Sequence, residues 1–498
     1  MGFYVNQSLF YLTFVIRVTT KLSDLMLSFF RVNAFYQLFS LLILLLAIRL
    51  PLYLSGLPLL VPELQWMLTG EQMNKGLMLY ADIWDSTAPL SAMMYAGIDG
   101  IFGRSQTAYH VFALLFTAFQ AVNFNLLSNR RGIFQERSYV PGLIYLLLLN
   151  ISFDCFTLSP ALMGTTFLLM AFGTLIRQMD RQGATDEVFE IGFFISIAAL
   201  FHPPTFIFLL WAVLSLLLFT GATFRQLSLM VFGFLFPILL TGLFFYLDGS
   251  FDSFMRNFVG SVFQLKQYNL NDFQTLLLVF FLPLLFGVIG FMRVANSGRF
   301  GNFQIRVQQI MAIWFVVAIL SIVLMPFLAP MQFLVFTPVV AFYCVHFFNT
   351  FRKQWMAEAL FLLLFGTVVL FTYQAVYPSL QSDAVTTLDN LRLKPASLPK
   401  EIRDKRIIVL GDGMSEYLNN YPATPYLNWN LASYDLENLD RYENVINILK
   451  NFEQDPPEYI IDRQNIVPKL FQRIPALSRR YKKTNDSVYQ YSLPLTGV

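Results

Sequence analysis

Apolar residues in this chain come in long unbroken runs, not in strict alternation or as one stripe of a helix. The runs lie at 36–57, 106–127, 139–153, 156–176, 188–201, 204–221, 227–247, 275–292, 308–325, 331–348 and 356–376. A straight helix needs about 20 apolar residues to cross a bilayer. Backbone in lipid must also satisfy its own hydrogen bonds, which leaves a helix as the form such a run takes. The pattern therefore predicts a polytopic α-helical membrane protein with about eleven spans, several of them short. Residues 8–34 are semi-apolar but broken by Arg17, Lys21, Asp24 and Arg31, and read as an amphipathic segment, 1–35, on the membrane surface.

Lys and Arg in short loops set the orientation. Arg130, Arg131 and Arg137 fall in one loop, Arg177 and Arg181 in another, and Arg225 in a third. Arg293, Arg299 and Arg306 fill a fourth, and Arg352 with Lys353 a fifth. With eleven spans all five share the side of Arg17, Lys21 and Arg31, the expected cytoplasmic face. The opposite loops carry only Lys75, Arg104, Arg256 and Lys266. The stretch 88–103 could span as well, but counting it would move every later arginine loop to the other side. It is read as an interfacial helix inside a long first outer loop, 58–105, of the transmembrane domain 36–376.

At Tyr377-Pro378 the pattern changes. Charges return, and the short apolar runs Arg406–Leu410 and Tyr459–Ile461 read as strands. Gly411-Asp412-Gly413 forms a turn after the first, and helical stretches near 432–452 and 464–477 complete a small extracytoplasmic α/β domain over 377–498. The turn is no nucleotide loop, since it lacks a following Gly-Lys or third glycine.

Composition agrees with the membrane class. Hydrophobic residues make up 56% of the 498 and charged ones 13%, against about 25% charge in soluble domains. The net charge of +3 argues against a nucleic-acid partner. Cys155 and Cys344 lie far apart in apolar stretches, so neither a disulfide framework nor a cysteine metal site is expected. His202 precedes Pro203-Pro204 and reads as a turn residue, and His110 and His346 as hydrogen-bonding residues between helices. Three scattered histidines cannot build a zinc site.

Candidate chemistry gathers in the first outer loop, where Glu63, Glu71, Asp82 and Asp85 fall within twenty-three residues. Such carboxylates can act as a general base or hold a divalent cation. They can equally cap short helices and solvate a loop. Arg49 sits inside the first span, where an arginine either snorkels to the interface or meets a partner.

An acidic residue after the first span, a small-residue helix, and Tyr80-Ala81-Asp82-Ile83-Trp84-Asp85 followed by Pro89-Leu90 and Phe102-Gly103 resemble the GT-C superfamily. More narrowly, they resemble the bacterial relatives of protein O-mannosyltransferases and aminoarabinose transferases, which use polyprenyl-phosphate sugars. The sharp match covers about 62–110, and the order of parts extends over most of the chain. Ile407–Gly411, Ala423–Leu427 with Trp429, and Pro456–Asp462 follow the order of that superfamily's outer domains.

The resemblance implies a GT-C-like fold and glycosyl transfer from a polyprenyl-phosphate donor, outside a bacterial inner membrane, to a lipid, glycan or protein. Glu63 takes the place of the family's first-loop acid, and Asp154 that of a second acidic residue; these two are the catalytic candidates. Asp82, Trp84, Asp85 and Tyr80 match the loop element and are substrate-binding candidates. Arg49, Lys75, Arg104, Arg256 and Lys266 are the cations that could meet phosphate, though Arg256 and Lys266 also read as an ordinary solvated face. No metal site is assigned, and a divalent cation at Glu63 or Asp154 stays open. Two departures stand out: Pro62-Glu63 replaces an acidic pair, and Thr87-Ala88-Pro89 replaces Lys-Pro-Pro. They favour a second reading, a non-enzymatic scaffold that binds an envelope protein through 383–498. A transporter fits less well, since repeated halves and polar midplane helices are missing from the pattern.

Overall fold

With no water to bond the backbone, the apolar runs fold as helices. The computed structural model describes residues 26–180, 185–263, 273–298, 300–374, 376–377, 390–395 and 398–492. Among them, eight helices are long and apolar enough to cross a membrane: Tyr36–Ser55, Gln106–Arg131, Pro160–Met179, Phe224–Leu247, Phe273–Ala295, Asn302–Leu324, Pro330–Asn349 and Gln354–Tyr373. The other three expected spans are shorter. Val140–Leu148 has 9 residues and Thr185–Phe201 has 17, and Pro203–Phe219 is a short apolar helix. The Pro203-Pro204 pair stops the Thr185–Phe201 helix, because proline lacks the donor a helix interior needs, and past the end of Val140–Leu148 the Asn150 amide donates back to the Leu146 carbonyl. Most of the 1–35 segment, including Arg17 and Lys21, lies outside the described residues; its described part opens with the helix Met26–Phe30.

The described residues fall into two units. The first comprises Met1–Leu57, Tyr109–Pro237 and Gln267–Asp389, and the second Pro58–Ala108, Ile238–Lys266 and Asn390–Val498. The first unit is helical and closely packed. Every residue of Val140–Leu148 is buried, as an all-round apolar helix must be. At Gly290, facing the helix that carries Tyr343, a Cβ would collide with the Tyr343 carbonyl oxygen, so only glycine lets these backbones approach.

The second unit is built on a five-stranded sheet in the order β2-β1-β3-β5-β4. The strands are β1 (Arg406–Leu410), β2 (Tyr421–Pro422), β3 (Tyr459–Asp462), β4 (Tyr481–Asn485) and β5 (Val488–Tyr491). β1 runs parallel to β2 and β3, and β5 is antiparallel to β3 and β4. Side chains alternate between faces of a strand, and both faces here are apolar. Ile408, Leu410 and Ile460 pack with Leu436, Ile448, Phe452 and Leu470 from the helices Trp429–Leu436, Tyr442–Gln454 and Val467–Arg473. Ile407, Val409 and Ile461 pack on the other side against Leu64 and Leu68 of the helix Val61–Asn74.

The first loop thus supplies one layer of this unit. Its second helix, Pro89–Phe102, stacks Tyr95 on Trp66 of the first with ring centroids 5.6 Å apart. Nothing in the local pattern of either segment reports this grouping.

Gly290→Ala should lower the thermal stability of the purified protein by about 1–3 kcal/mol, the usual cost of overpacking. Gly366→Ala is the control, since a Cβ there meets nothing within 4 Å. Equal melting temperatures for the two variants would contradict the close backbone contact.

Candidate functional site

The sequence candidates of the second unit converge on residues 60–104. Glu63 is the third residue of its helix and wholly buried. Its Oε2 accepts from the Leu60 N–H at 3.3 Å and from Gln106 Nε2 at 3.1 Å. The carboxylate thus closes a helix N-terminus, where the exposed N–H groups and the dipole favour negative charge.

Asp85 is equally buried and accepts four hydrogen bonds. Gln65 Nε2 and the Ser86 N–H donate to Oδ1 at 2.6 and 2.7 Å, and the hydroxyls of Thr69 and Thr87 donate to Oδ2 at 2.7 and 2.6 Å. Asp82 accepts from the Met78 N–H at 2.9 Å. Both acids of the Asp-x-Trp-Asp element therefore hold the loop in shape.

Tyr80 and Trp84 pin that loop to its surroundings. Tyr80 has φ +71°, a strained value for a bulky residue. Its hydroxyl donates to the Thr87 carbonyl at 2.6 Å, and its own carbonyl accepts from Asn257 Nδ2 at 2.7 Å. Burial, and then the charge of Asp85, push its phenol well above the ordinary range, so it stays a donor. The Trp84 N–H donates to the Pro425 carbonyl at 2.6 Å, and the Trp84 carbonyl accepts from the Asn428 N–H at 3.0 Å. The exposed Arg256 guanidinium lies over the indole at 5.0 Å.

The nearby cations are engaged as well. Lys75 pairs with Glu71 at 2.7 Å. Arg104 reaches the same carboxylate at 2.6 Å and donates to the Tyr417 carbonyl at 2.9 Å. Lys266 lies outside the described residues.

The first unit brings Asp154 and Arg49 to one break in its helices, residues 150–156. Asp154 is wholly buried in the short turn Phe153–Phe156 and accepts from the Met331 N–H at 2.7 Å. Burial pushes its carboxyl up to about 6, against the pull of hydrogen bonds from Ser152 and Met331. Gln332, beside Met331, is buried with its Oε1 unpartnered.

Arg49 does not snorkel: it is fully buried. Its Nε donates to Asn150 Oδ1 at 2.6 Å, and one terminal nitrogen donates to Thr117 Oγ1 at 2.9 Å and the Cys155 carbonyl at 3.3 Å. The guanidinium also lies 4.5 Å from the Phe156 ring centroid. All these acceptors are neutral, and among the described residues no carboxylate pairs with it. Asn150, Thr117 and Gln332 were missed in the sequence; each is a polar residue in or beside an apolar run, which was their only signal.

His346 packs against Phe134, Phe342 and Phe300 with its Nε2 unpartnered, so it is an aromatic-core residue and not a bridge between helices. His110 stacks on Tyr53 at 4.9 Å. Among the described residues no group of three or more His, Cys, Asp or Glu side chains could hold a metal ion.

A family model described as a family of unknown function, DUF6427, matches residues 91–379, more than half of the chain. No curated protein matches it in sequence. Among solved structures, ArnT from Cupriavidus metallidurans bound to undecaprenyl phosphate is similar with a TM-score of 0.55 and 10% identity, over 93% of this chain and 100% of that one. The oligosaccharyltransferase AglB from Archaeoglobus fulgidus, in complex with an inhibitory peptide and a dolichol-phosphate, is similar at 0.50 and 12%, over 93% and 76%. At these identities the likeness is one of fold, and it bears out the GT-C resemblance at that level.

The raised Asp154 pKa makes a stability prediction. Between its ordinary value and about 6 the folded protein holds a proton that the unfolded chain has lost, so stability falls as pH rises through that window, by roughly 3 kcal/mol at most. Asp154→Asn keeps an acceptor for the Met331 N–H and removes this loss. Its melting temperature should match the parent's near the bottom of the window and exceed it above the top. A constant difference across the window would refute the shift.

Proposed function

The chain belongs to the DUF6427 family, and we propose that it is a membrane glycosyltransferase of the GT-C type. It moves a sugar from a polyprenyl-phosphate donor to a hydroxyl of an envelope lipid, glycan or protein. On this reading Val140–Leu148, Thr185–Phe201 and Pro203–Phe219 complete eleven spans. The N-terminus is then cytoplasmic and the 377–498 domain faces outward from a bacterial inner membrane.

One observation carries the reading: Arg49 is a fully buried cation surrounded by neutral oxygens, beside the turn that holds Asp154. A charge in a membrane helix costs roughly 2.5–3.5 kcal/mol or more, and such residues usually face a substrate path. A lipid phosphate would supply the missing counter-charge. The names of ArnT and AglB structures, with undecaprenyl phosphate and dolichol-phosphate bound, agree with such a ligand.

The reaction is a direct displacement. Asp154 takes the proton of the acceptor hydroxyl as its oxygen bonds to the anomeric carbon. The bond from that carbon to the phosphate oxygen breaks, and polyprenyl phosphate leaves with the electron pair beside Arg49. A base with a pKa near the working pH is well suited to this role. Asp154 supports it better than Glu63, whose carboxylate serves its own helix start and Gln106. Asp82, Asp85, Tyr80 and Trp84 shape the loop, while Lys75 and Arg256 remain at its surface.

The scaffold reading has its own support. Lys75 and Arg104 are spent on Glu71, and Thr87 stands where the family's lysine is expected. An inactive subunit would bind an envelope protein through 383–498.

The test is turnover of a polyprenyl-phosphate sugar by the purified protein in lipid nanodiscs, read as released polyprenyl phosphate. The wild type should release it at a rate rising with pH through about 6. Asp154→Asn should cut the rate about 10²–10⁴-fold and flatten the profile. Glu63→Gln, which keeps an acceptor at the helix start, should stay within about tenfold of the wild type. A wild type that neither binds nor turns over the donor would leave the scaffold.

A further inference from the structure

We infer that residues 467–483 of the second unit form a docking site for an anionic glycan outside the membrane. Between Asp462 and Asp486 the chain carries seven cations and no acid. Three of the seven are paired: Arg463 with Glu416, Arg480 with Glu453 at 2.8 Å, and Lys483 with Asp486 at 3.8 Å. Lys469, Arg473, Arg479 and Lys482 are exposed and pair with no carboxylate among the described residues.

The bland explanation covers only part of this. β4 is the edge strand of the sheet, and lysines on an edge strand deter pairing with another chain. That accounts for Lys482 and Lys483. It leaves Lys469, Arg473 and Arg479, which lie outside the strand.

An aromatic platform adjoins the charges. The Arg473 guanidinium lies over the Tyr442 ring at 5.2 Å, and its Nε donates to the Leu439 carbonyl at 3.2 Å. Tyr442 is 75% exposed, so its ring is open for stacking against a sugar. The planar guanidinium suits two-point bonding to a carboxylate or phosphate. The segment supporting Tyr442 is held firmly, since the buried Asn444 amide donates to the carbonyls of Tyr434 and Asn438 at 3.2 and 3.1 Å.

The open Tyr442 ring beside the Arg473 guanidinium favours an anionic sugar over a lipid headgroup, since a pyranose ring can stack on it while its carboxylate meets the cation. Leu470 and Leu477 pack on the sheet face opposite the one that rests on Val61–Asn74. A protein partner fits less well, because lysine is depleted in the packed cores of protein interfaces. This inference does not depend on the transfer reaction.

The experiment is fluorescence anisotropy of labelled polygalacturonate oligomers with the full chain in zwitterionic nanodiscs. Labelled dextran serves as the neutral control and polyglutamate as the acidic peptide. We expect polygalacturonate binding that weakens with added salt and no dextran binding. The variant Lys469→Gln/Arg479→Gln/Lys482→Gln should bind at least tenfold more weakly with its melting temperature unchanged, and Arg473→Gln should also weaken binding. Absence of wild-type binding, or binding unchanged in the triple variant, overturns the proposal. Polyglutamate binding as tight as polygalacturonate would assign the surface to an acidic protein instead. If deuterium exchange of 467–483 slows only when the nanodisc lipids are anionic, the surface belongs to the membrane.

Discussion

A polar group shut away from water must find a partner or cost several kcal/mol, and this constraint organises the whole chain. It turns the apolar runs into helices. It explains why Tyr80 tolerates φ +71°, since its carbonyl is met by Asn257 and its hydroxyl by Thr87. It also makes the break at 150–156 informative. There the helical ladder stops, and the Asn150 side chain and Cys155 carbonyl are turned toward Arg49.

Asp85 and Asp154 show two outcomes of the same burial. Asp85 accepts four hydrogen bonds from two hydroxyls, an amide and a backbone N–H, so both its oxygens are met by donors. Such a carboxylate fixes a loop. Asp154 accepts from the Met331 N–H and the Cys155 thiol, yet desolvation outweighs its hydrogen bonds and its carboxyl rises to about 6. The acid in the more recognisable motif thus holds its loop in shape, while burial raises the carboxyl of the isolated one.

This contrast marks how far the sequence could be read. The eight long spans, the helix at 89–102 and the strands β1 and β3 were legible because each announces itself within its own residues. The β4–β5 hairpin was missed although Val488-Tyr489-Gln490-Tyr491 follows the turn residues Asn485-Asp486-Ser487. The surroundings of Arg49 could not be read at all, because Thr117, Asn150 and Cys155 come from three separate stretches. The same is true of the second unit. Ile83 belongs to the cluster on one sheet face and Trp84 to the cluster on the other, and no local period reports a contact with residues more than three hundred positions away.

Thr87 joins these threads. The resemblance places a lysine at this position, where a cation would face the donor phosphate. Here the side chain is a neutral hydroxyl turned inward to Asp85, and its carbonyl receives the Tyr80 hydroxyl. The side chain thus serves the loop's own hydrogen bonds and brings no charge. Glycosyl transfer from a lipid phosphate still requires a cation for the leaving group. If this chain performs it, the charge must come from another element. Arg49 is a full positive charge already desolvated and held by neutral oxygens, so the reorganisation that an exposed lysine would undergo has been completed during folding.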